Sequence, residues 1–479
     1  MICTHRIIVS AIAALALTCW RVEAADTVPI GVARVDLTPD YPVRLSGYGV
    51  RKTESEGVAA RIWTKALAIG ADSGQGPAVL VMVENCGVPA RLCDEVAARL
   101  QTKIGLKRER LVICSTHNHT CPWLPEFLPL GSLEPLPADQ LHRMERYTRE
   151  LGEQMEKVVL AALAARQPGR LSWAQGSVGF AKNRRAVKVG RSPGKGATPQ
   201  GPVDHSLPLL CATDEQGKRL AIVVNYACHC TTLTDADNKI HGDWAGASQE
   251  FIEQENPGAM ALVCIGCGAD ANPNPRGKFE MALANGRAVA DEVKRLVAAK
   301  LQPVSGSLVS GMTRFKIPFG PLPSREEFQR RVTAAKGPKP SVADILKARN
   351  AEAMIKALDR GALPTHLDYS VTVWAFGDDL AMVFMEGEVV VDFALRLKRE
   401  LDGRRLWVTA YTNGVPCYIV SRRVLAEGGY EPDSSMLCYG LPGPLAESVE
   451  EQVVGAVKSL VPAVFAVKAP AERAAKPGE

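Results

Sequence analysis

The chain has 479 residues, of which 46% are hydrophobic, and a formal net charge of +5 at pH 7. This composition excludes an intrinsically disordered chain and is sufficient for a sizeable buried core. The small net charge lacks the basic excess of a nucleic-acid-binding protein, so we expect no nucleic-acid partner. The length alone is compatible with two or three domains and also with one large α/β domain.

The first 24 residues have the features of an export signal. Arg6 supplies the positive leading charge, residues 7–20 form an apolar stretch, and residues 22–24 resemble a signal-peptidase cleavage site. The apolar stretch is too short to span a bilayer, and no later segment is long and apolar enough to do so. We therefore predict a signal peptide over residues 1–24, a secreted or periplasmic mature protein, and no transmembrane segment.

Apolar runs and amphipathic segments alternate along the rest of the chain. Strands are predicted at residues 30–37, 62–69, 78–83, 111–113, 220–226, 261–265, 305–317, 371–376, 380–385 and 406–411. Helices are predicted at residues 92–104, 137–166, 244–255, 281–300, 324–335, 341–360, 389–401 and 445–460. Runs that are apolar throughout are typical of strands covered on both faces by helices. The pattern predicts one α/β domain over residues 25–462, with a mixed central sheet covered by helices, and a disordered tail over residues 463–479.

The cysteines predict little redox chemistry. Removing Cys3 and Cys19 with the signal from the 13 cysteines leaves eleven, an odd number, so at least one thiol should be free or paired between chains. Cys264 and Cys267 have the spacing of a redox motif, and export would permit a disulfide there. Other cysteines, such as Cys86, lie in or beside apolar runs, where a cysteine is typically a small buried hydrophobe.

Two glycine motifs do not indicate a function. Residues 190–194 match the G-x-S-x-G pattern of serine hydrolases, but that elbow needs a preceding strand and an N–H after the serine, which Pro193 lacks. Residues 266–268 contain Gly-x-Gly, but the third glycine of a dinucleotide fingerprint is missing and prolines follow.

The most informative stretch is Cys114-Ser115-Thr116-His117-Asn118-His119-Thr120, directly after the predicted strand at 111–113. On an extended backbone His117 and His119 would point to the same side, because strand side chains alternate. Such an imidazole pair at the end of a strand suits a catalytic metal. Isolated pairs of this kind also occur as hydrogen-bonded histidines in polar loops. His229 follows the strand at 220–226 in the same way, in a chain with only eight histidines.

Other polar residues also follow predicted strands: Asp270, Asn272, Glu388 and Tyr418. Ligands of open α/β sheets gather outside the carboxyl ends of the strands, so we expect these residues to converge on one site with the histidines. Glu388 by itself would equally well cap the helix that follows it.

Several segments, taken in order, resemble the neutral/alkaline non-lysosomal ceramidases, zinc-dependent amidases that cleave N-acyl sphingosine. The segments that carry the resemblance are Gly31–Thr38 with Gly47-Tyr48, Ser115–His119, Asn183-Arg184, Asn225–His229, Gly242-Asp243, Gly387-Glu388, Asn413-Gly414 to Tyr418, and Tyr430.

The resemblance implies a set of residue roles. The implied zinc ligands are His117, His229, Glu388 and Tyr418. Two neutral nitrogens and one carboxylate are a common catalytic zinc set, and zinc would activate water for attack on an amide carbonyl. His119 would handle protons near the water and the leaving amine. Arg184 and Tyr430 would stabilise the developing oxyanion.

Two features depart from the family pattern. Asn272 stands where the ceramidases carry the serine of Gly-Asp-x-Ser-Pro, and an amide has no ionisable nucleophile. We therefore expect Asn272 to position substrate, or a loop near the metal, by hydrogen bonds while activated water reacts. Because little sequence follows the tyrosine segment, we also expect no immunoglobulin-like C-terminal domain of the kind that characterised ceramidases carry.

The leading interpretation is a secreted zinc-dependent hydrolase that cleaves the amide bond of an N-acyl sphingosine-like lipid. One alternative is a zinc hydrolase of the same fold for a different amide or an ester, and another is a catalytically silent binding protein. The expected partner is a small-molecule or lipid amide substrate, and the sequence leaves the oligomeric state open.

Overall fold

The computed structural model describes residues 27–185 and 201–467. The predicted signal peptide, the motif at residues 190–194 and residues 468–479 lie outside the described residues. The strands are β1 Val28–Asp36, β2 Trp63–Ile69, β3 Ala78–Val83, β4 Leu111–Ser115, β5 Gln167–Ser177, β6 Ala181–Asn183, β7 Ser206–Asp214, β8 Arg219–Tyr226, β9 Met260–Ile265, β10 Ala271–Pro273, β11 Gln302–Val304, β12 Leu308–Pro318, β13 His366–Phe376, β14 Leu380–Met385, β15 Glu388–Val389, β16 Leu406–Thr409 and β17 Tyr418–Ile419. The helices are α1 Ala90–Ile104, α2 Ala138–Ala164, α3 Asp243–Glu255, α4 Phe279–Ala298, α5 Arg325–Ala334, α6 Val342–Asp359, α7 Val391–Glu400, α8 Arg422–Glu427, α9 Ser435–Cys438 and α10 Val449–Leu460, with a π-helical turn at Tyr430–Ser434 and 3-10 turns at Arg108–Arg110 and Ala463–Phe465.

Two sheets organise the chain. The larger has nine strands in the order β4-β3-β2-β1-β5-β7-β8-β9, with β11 beside β5. The smaller has four strands in the order β12-β13-β14-β16. The pairs β3–β4, β8–β9 and β14–β16 are parallel, and the other neighbours are antiparallel. These mixed sheets confirm the predicted α/β class.

The two faces of the nine-stranded sheet have different covers. Helices α1 to α4 pack on one face. On the other face, Leu80 and Leu262 join a buried cluster with Trp374, Phe384 and Trp407 of the four-stranded sheet. Helices α7 and α10 lie on the far side of the smaller sheet. The expectation of helices on both faces is therefore wrong for one face. An apolar strand face needs only an apolar partner, and here that partner is a second sheet.

The described cysteines carry no disulfide: all eleven thiols are free, and every one except that of Cys438 is buried. The Cys264–Cys267 disulfide that export would permit is absent: Cys264 packs towards the smaller sheet, whereas Cys267 lies in the other core cluster. The described chain continues past residue 462, the predicted end of the domain. Phe465 is fully buried, and its carbonyl accepts a hydrogen bond of 2.7 Å from Asp402 N. Within the described ranges, none of the helices has the length and apolar character needed to cross a membrane.

Three β-α-β units position the site: β3-α1-β4, β8-α3-β9 and β14-α7-β16. The segment after β16 joins the edges of the larger sheet. Ala410 N donates to Ile265 O at 2.9 Å, Ser115 N donates to Tyr411 O at 3.0 Å, and Asn413 N donates to Ile113 O at 2.7 Å. The carboxyl ends of parallel strands from both sheets therefore meet at one place.

Candidate metal centre and active-site cleft

His117 and His119 lie in a turn after β4. The strand ends at Ser115, and His117 has a φ of 56°, in the left-handed region. The prediction that an extended backbone aligns the two rings is therefore wrong, but the turn brings them together all the same: their Nε2 atoms are 3.2 Å apart. A parallel bridge between Asn118 and Cys230 places the loop of His229 alongside this turn.

Glu388 and Tyr418 are placed by a short parallel pair of strands. In the register of β15 and β17, Glu388 is the direct partner of Tyr418. Oε2 of Glu388 lies 3.1 Å from His117 Nε2 and 3.2 Å from His229 Nε2. The hydroxyl of Tyr418 lies 3.4 Å from His229 Nε2. All four residues predicted as metal ligands are thus brought together and are buried.

The donor set fits a metal cation. Nδ1 of His117 lies 2.6 Å from Cys86 O, and Nδ1 of His229 lies 2.9 Å from Gly268 O. A carbonyl oxygen only accepts, so each Nδ1 carries the proton and each Nε2 presents a lone pair towards Glu388. Oε2 of Glu388 is buried and has no hydrogen-bond donor among the described residues. Three acceptor atoms that face one another at this distance need a cation between them.

The protonation equilibria favour positive charge at the same point. Burial disfavours a charged His117, but the carboxylate of Glu388 outweighs it and raises the pKa of His117 to about 10. Burial would raise the pKa of Glu388, but His117 holds it well below its usual range. Burial, assisted by Arg184, lowers the pKa of His229 to about 4, so that ring stays neutral. The ionised carboxylate attracts one cation, either a proton or a metal ion.

Two buried tyrosines support the metal centre, and sequence analysis missed both. Tyr439 donates a hydrogen bond from its hydroxyl to Oε1 of Glu388, which directs Oε2 towards the histidines. The ring of Tyr411 lies 4.4 Å from that of His117, centroid to centroid. Tyr439 follows the four-residue helix α9, which is too short to give a periodic signal in the sequence.

Arg184 and Asn272 are placed by the antiparallel pair β6–β10, in which Asn272 is opposite Lys182. Arg184 Nη2 donates to the hydroxyl of Tyr418 at 3.1 Å, and Nη1 donates to Oδ1 of Asn272 at 3.4 Å. Arg184 Nε donates to Glu431 at 2.9 Å, a contact that the sequence did not predict. These bonds hold the guanidinium beside the metal centre.

Asp270 lies near the site but does not face it. Its carboxylate is fully buried and accepts hydrogen bonds from Asn183 Nδ2 at 2.8 Å and Val391 N at 2.9 Å. Burial raises its pKa to about 6. Asp270 therefore ties together the loop before β10, the end of β6 and the start of α7.

A cleft of about 660 Å³ opens onto the metal centre. Its walls include His119, Arg184, Asn272, Tyr418 and Tyr430, so every predicted catalytic residue lines it. The ring of Tyr430 is 51% exposed and lies 5.5 Å from that of Tyr418, centroid to centroid. The guanidinium carbon of Arg184 lies 5.4 Å from the Tyr430 ring centroid.

The glycine-rich loop before β2 leaves room for His119. Gly47 has a φ of 89°, and a Cβ atom there would lie 2.3 Å from Cγ of His119. Only glycine combines this backbone conformation with this close approach. The ring of the next residue, Tyr48, packs against the ring of His119, and their centroids are 5.1 Å apart.

Comparison with known proteins identifies the family of this chain. A family model described as neutral/alkaline non-lysosomal ceramidase, N-terminal, matches residues 29–308. The chain belongs to this family. It is a ceramidase-like hydrolase, with residues suited to hold the metal ion on which this family depends.

Solved structures share the fold. The crystal structure of neutral ceramidase from Pseudomonas aeruginosa has 19% sequence identity and a TM-score of 0.69, and the match covers 93% of this chain and 76% of that one. A structure described as ceramidase complexed with C2 has 18% identity and a TM-score of 0.68, with 93% of this chain and 77% of that one covered.

Proposed function

We propose that this ceramidase-like hydrolase is zinc-dependent and cleaves the amide bond of an N-acyl sphingosine-like lipid. The observation that carries the proposal is the convergence of His117, His229 and Glu388, whose facing acceptor atoms lie 3.1 to 3.2 Å apart. With Tyr418 they would hold the ion. When bound, zinc would polarise the amide carbonyl and lower the pKa of a water molecule to about 7. Residues 1–24 would direct export of the protein.

The residues of the cleft supply the remaining chemistry. Burial, with His117 and His229 nearby, lowers the pKa of His119 well below its usual range, so its ring is neutral and able to accept a proton. His119 would take the proton from water and deliver it to the leaving amine. Arg184 lines the same cleft as a permanently charged donor, with Tyr430 beside it, and both would stabilise the carbonyl oxygen as it becomes negative.

The proposal is tested by hydrolysis of a matched amide and ester. Purified protein would be incubated with N-dodecanoyl sphingosine and with the dodecanoyl ester of a comparable alcohol, and dodecanoate release and zinc content would be measured together. We expect amide cleavage by protein that contains one zinc ion per chain. Cleavage of the ester alone would make the protein an esterase of the same fold. Bound zinc without any hydrolysis would indicate a binding protein.

Replacing Asn272 tests whether this side chain positions substrate. Asn272→Ala should slow amide hydrolysis about tenfold without abolishing it, because a lost hydrogen bond costs about 1 to 3 kcal/mol. Oδ1 of Asn272 accepts from Arg184, so its removal also loosens the guanidinium. The measurement is the initial rate of dodecanoate release. Detection of a covalent acyl-enzyme on the wild-type protein by mass spectrometry would contradict the role given to Asn272.

A further inference from the structure

The cleft has an unusual concentration of arginines for a site that receives a lipid. None of the described residues that line it is aliphatic. Three of them are arginines: Arg184, Arg185 and Arg276. Sites for neutral small molecules are lined mostly by hydrophobic side chains with a few polar groups. The walls of this cleft combine tyrosine rings with these charged side chains and therefore suit an amphiphile with a charged part.

The two carboxylates of the cleft are already committed to two of the arginines. Glu431 accepts from Arg184 Nε at 2.9 Å and also from Arg185. Glu427 accepts from Arg185 Nη2 at 3.0 Å. Arg276 forms no ion pair with any described residue. Its Nη2 atom instead donates to the hydroxyl of Tyr48 at 3.3 Å.

Tyr48 places this unpaired charge close to the reacting groups. The Tyr48 hydroxyl donates to Leu233 O at 2.9 Å, which fixes the phenol between the guanidinium of Arg276 and the ring of His119. An exposed arginine without a carboxylate is common on protein surfaces. Arg276, by contrast, lies on the wall of the catalytic cleft, and the ring of Tyr48 lies between it and His119.

A second cavity contains the aliphatic side chains that the cleft lacks. It has a volume of about 860 Å³ and shares Gly429 and Tyr430 with the cleft. Its walls combine Met436, Leu437 and Leu441 with charged side chains such as Arg330 and Asp344. An alkyl chain has apolar partners there, and the cleft with its three arginines is left for the other end of an amphiphilic amide.

We propose that Arg276, held by Tyr48, binds an anionic oxygen group of the substrate, a carboxylate or a phosphate ester close to the scissile amide. This inference rests on the proposed amide hydrolysis and narrows the N-acyl sphingosine-like substrate to an N-acyl amphiphile that carries an anionic group. A guanidinium pairs with either group through forked, charge-assisted hydrogen bonds.

The test compares three amides that share one acyl chain: N-dodecanoylethanolamine, N-dodecanoylglycine and N-dodecanoyl-O-phosphoethanolamine. The first is neutral, the second carries a carboxylate and the third a phosphate. We expect kcat/KM of the wild-type protein to be at least about tenfold higher for one or both anionic amides, as expected for a charge-assisted hydrogen bond. The better anion identifies the group, and added salt should reduce the preference.

Variants assign the preference to Arg276. Arg276→Gln should bring the ratio of anionic to neutral kcat/KM close to one, and Arg276→Lys should retain part of it. The control is Arg404→Gln, which removes an arginine that is 92% exposed and pairs with Asp402 outside the cleft. This control should keep the wild-type ratio.

The outcomes separate this inference from the proposed function. Hydrolysis of all three amides at equal rates, or an unchanged ratio in Arg276→Gln, would overturn the role of Arg276 and leave amide hydrolysis standing. If none of the amides is cleaved, calorimetric binding of their ketone analogues, in which a methylene replaces the amide nitrogen, decides the matter. Tighter binding of the anionic analogues that depends on Arg276 would support the inference, and equal binding would overturn it.

Discussion

His229→Ala is expected to lose its metal ion and to lower amide hydrolysis by more than about a hundredfold. Changes to groups that only orient metal ligands typically cost 10- to 100-fold, so the loss of a proposed ligand should cost more. The ring of His229 supplies one of the two Nε2 atoms beside Oε2 of Glu388. Zinc per chain would be measured by elemental analysis, together with the rate of dodecanoate release.

The control for this variant is His142→Ala, because His142 is exposed on α2 and lies outside the cleft. It should keep both zinc and activity. A chelator should abolish the activity of the wild-type protein, and zinc should restore it. A His229→Ala protein that still contained one zinc ion per chain would show that the ligand assignment is wrong.

Arg184→Lys is expected to lower kcat by about a hundredfold while zinc remains bound. Loss of one preorganised oxyanion donor typically costs 10² to 10³ in kcat, and the lysine ammonium lacks the fork that reaches Tyr418, Asn272 and Glu431 together. Zinc content should not change, because Arg184 is not one of the proposed ligands. The measurement is kcat and KM at saturating zinc.

Arg185→Lys is a matched control for this change. Arg185 shares Glu431 with Arg184 but has no contact with Tyr418 or Asn272. Its replacement should therefore affect kcat much less. If Arg184→Lys lost activity only in proportion to lost zinc, Arg184 would support the metal centre and would not act on the reacting carbonyl.

The ends of buried strands were the part of the site that the sequence could predict. His117, His229 and Glu388 each come shortly after an apolar run, and parallel strands gather such positions at one edge. The path of the backbone within each loop was not predictable. The left-handed φ of His117 and the parallel pair that sets Glu388 beside Tyr418 both depend on contacts between distant segments.

The groups that complete the site give little signal in the sequence. The carbonyls of Cys86 and Gly268 fix the two imidazole tautomers, and every residue type offers a carbonyl. Tyr439 directly follows a helix of one turn. Strand β5 was missed because Pro168, Gly169 and Gly176 interrupt its alternation.

The sequence also did not reveal which elements pack on the nine-stranded sheet. Strands such as β3, β9 and β14 are apolar on both faces, and this pattern is the same whether a helix or another sheet lies above them. Trp374, Phe384 and Trp407 are buried against the larger sheet. The residues that they contact come from distant segments of the chain, and local hydrophobic patterns do not predict such contacts.

The separation of the proposed ligands along the chain has a consequence for biosynthesis. The region that matches the family model ends at residue 308 and contains His117 and His229 but neither Glu388 nor Tyr418. A growing chain folds from its N-terminus, so the larger sheet is made while half of the donor set is still unsynthesised. The four donors meet only after residue 418 has emerged and the smaller sheet has docked. Capture of the ion would therefore be among the last events in the maturation of each molecule.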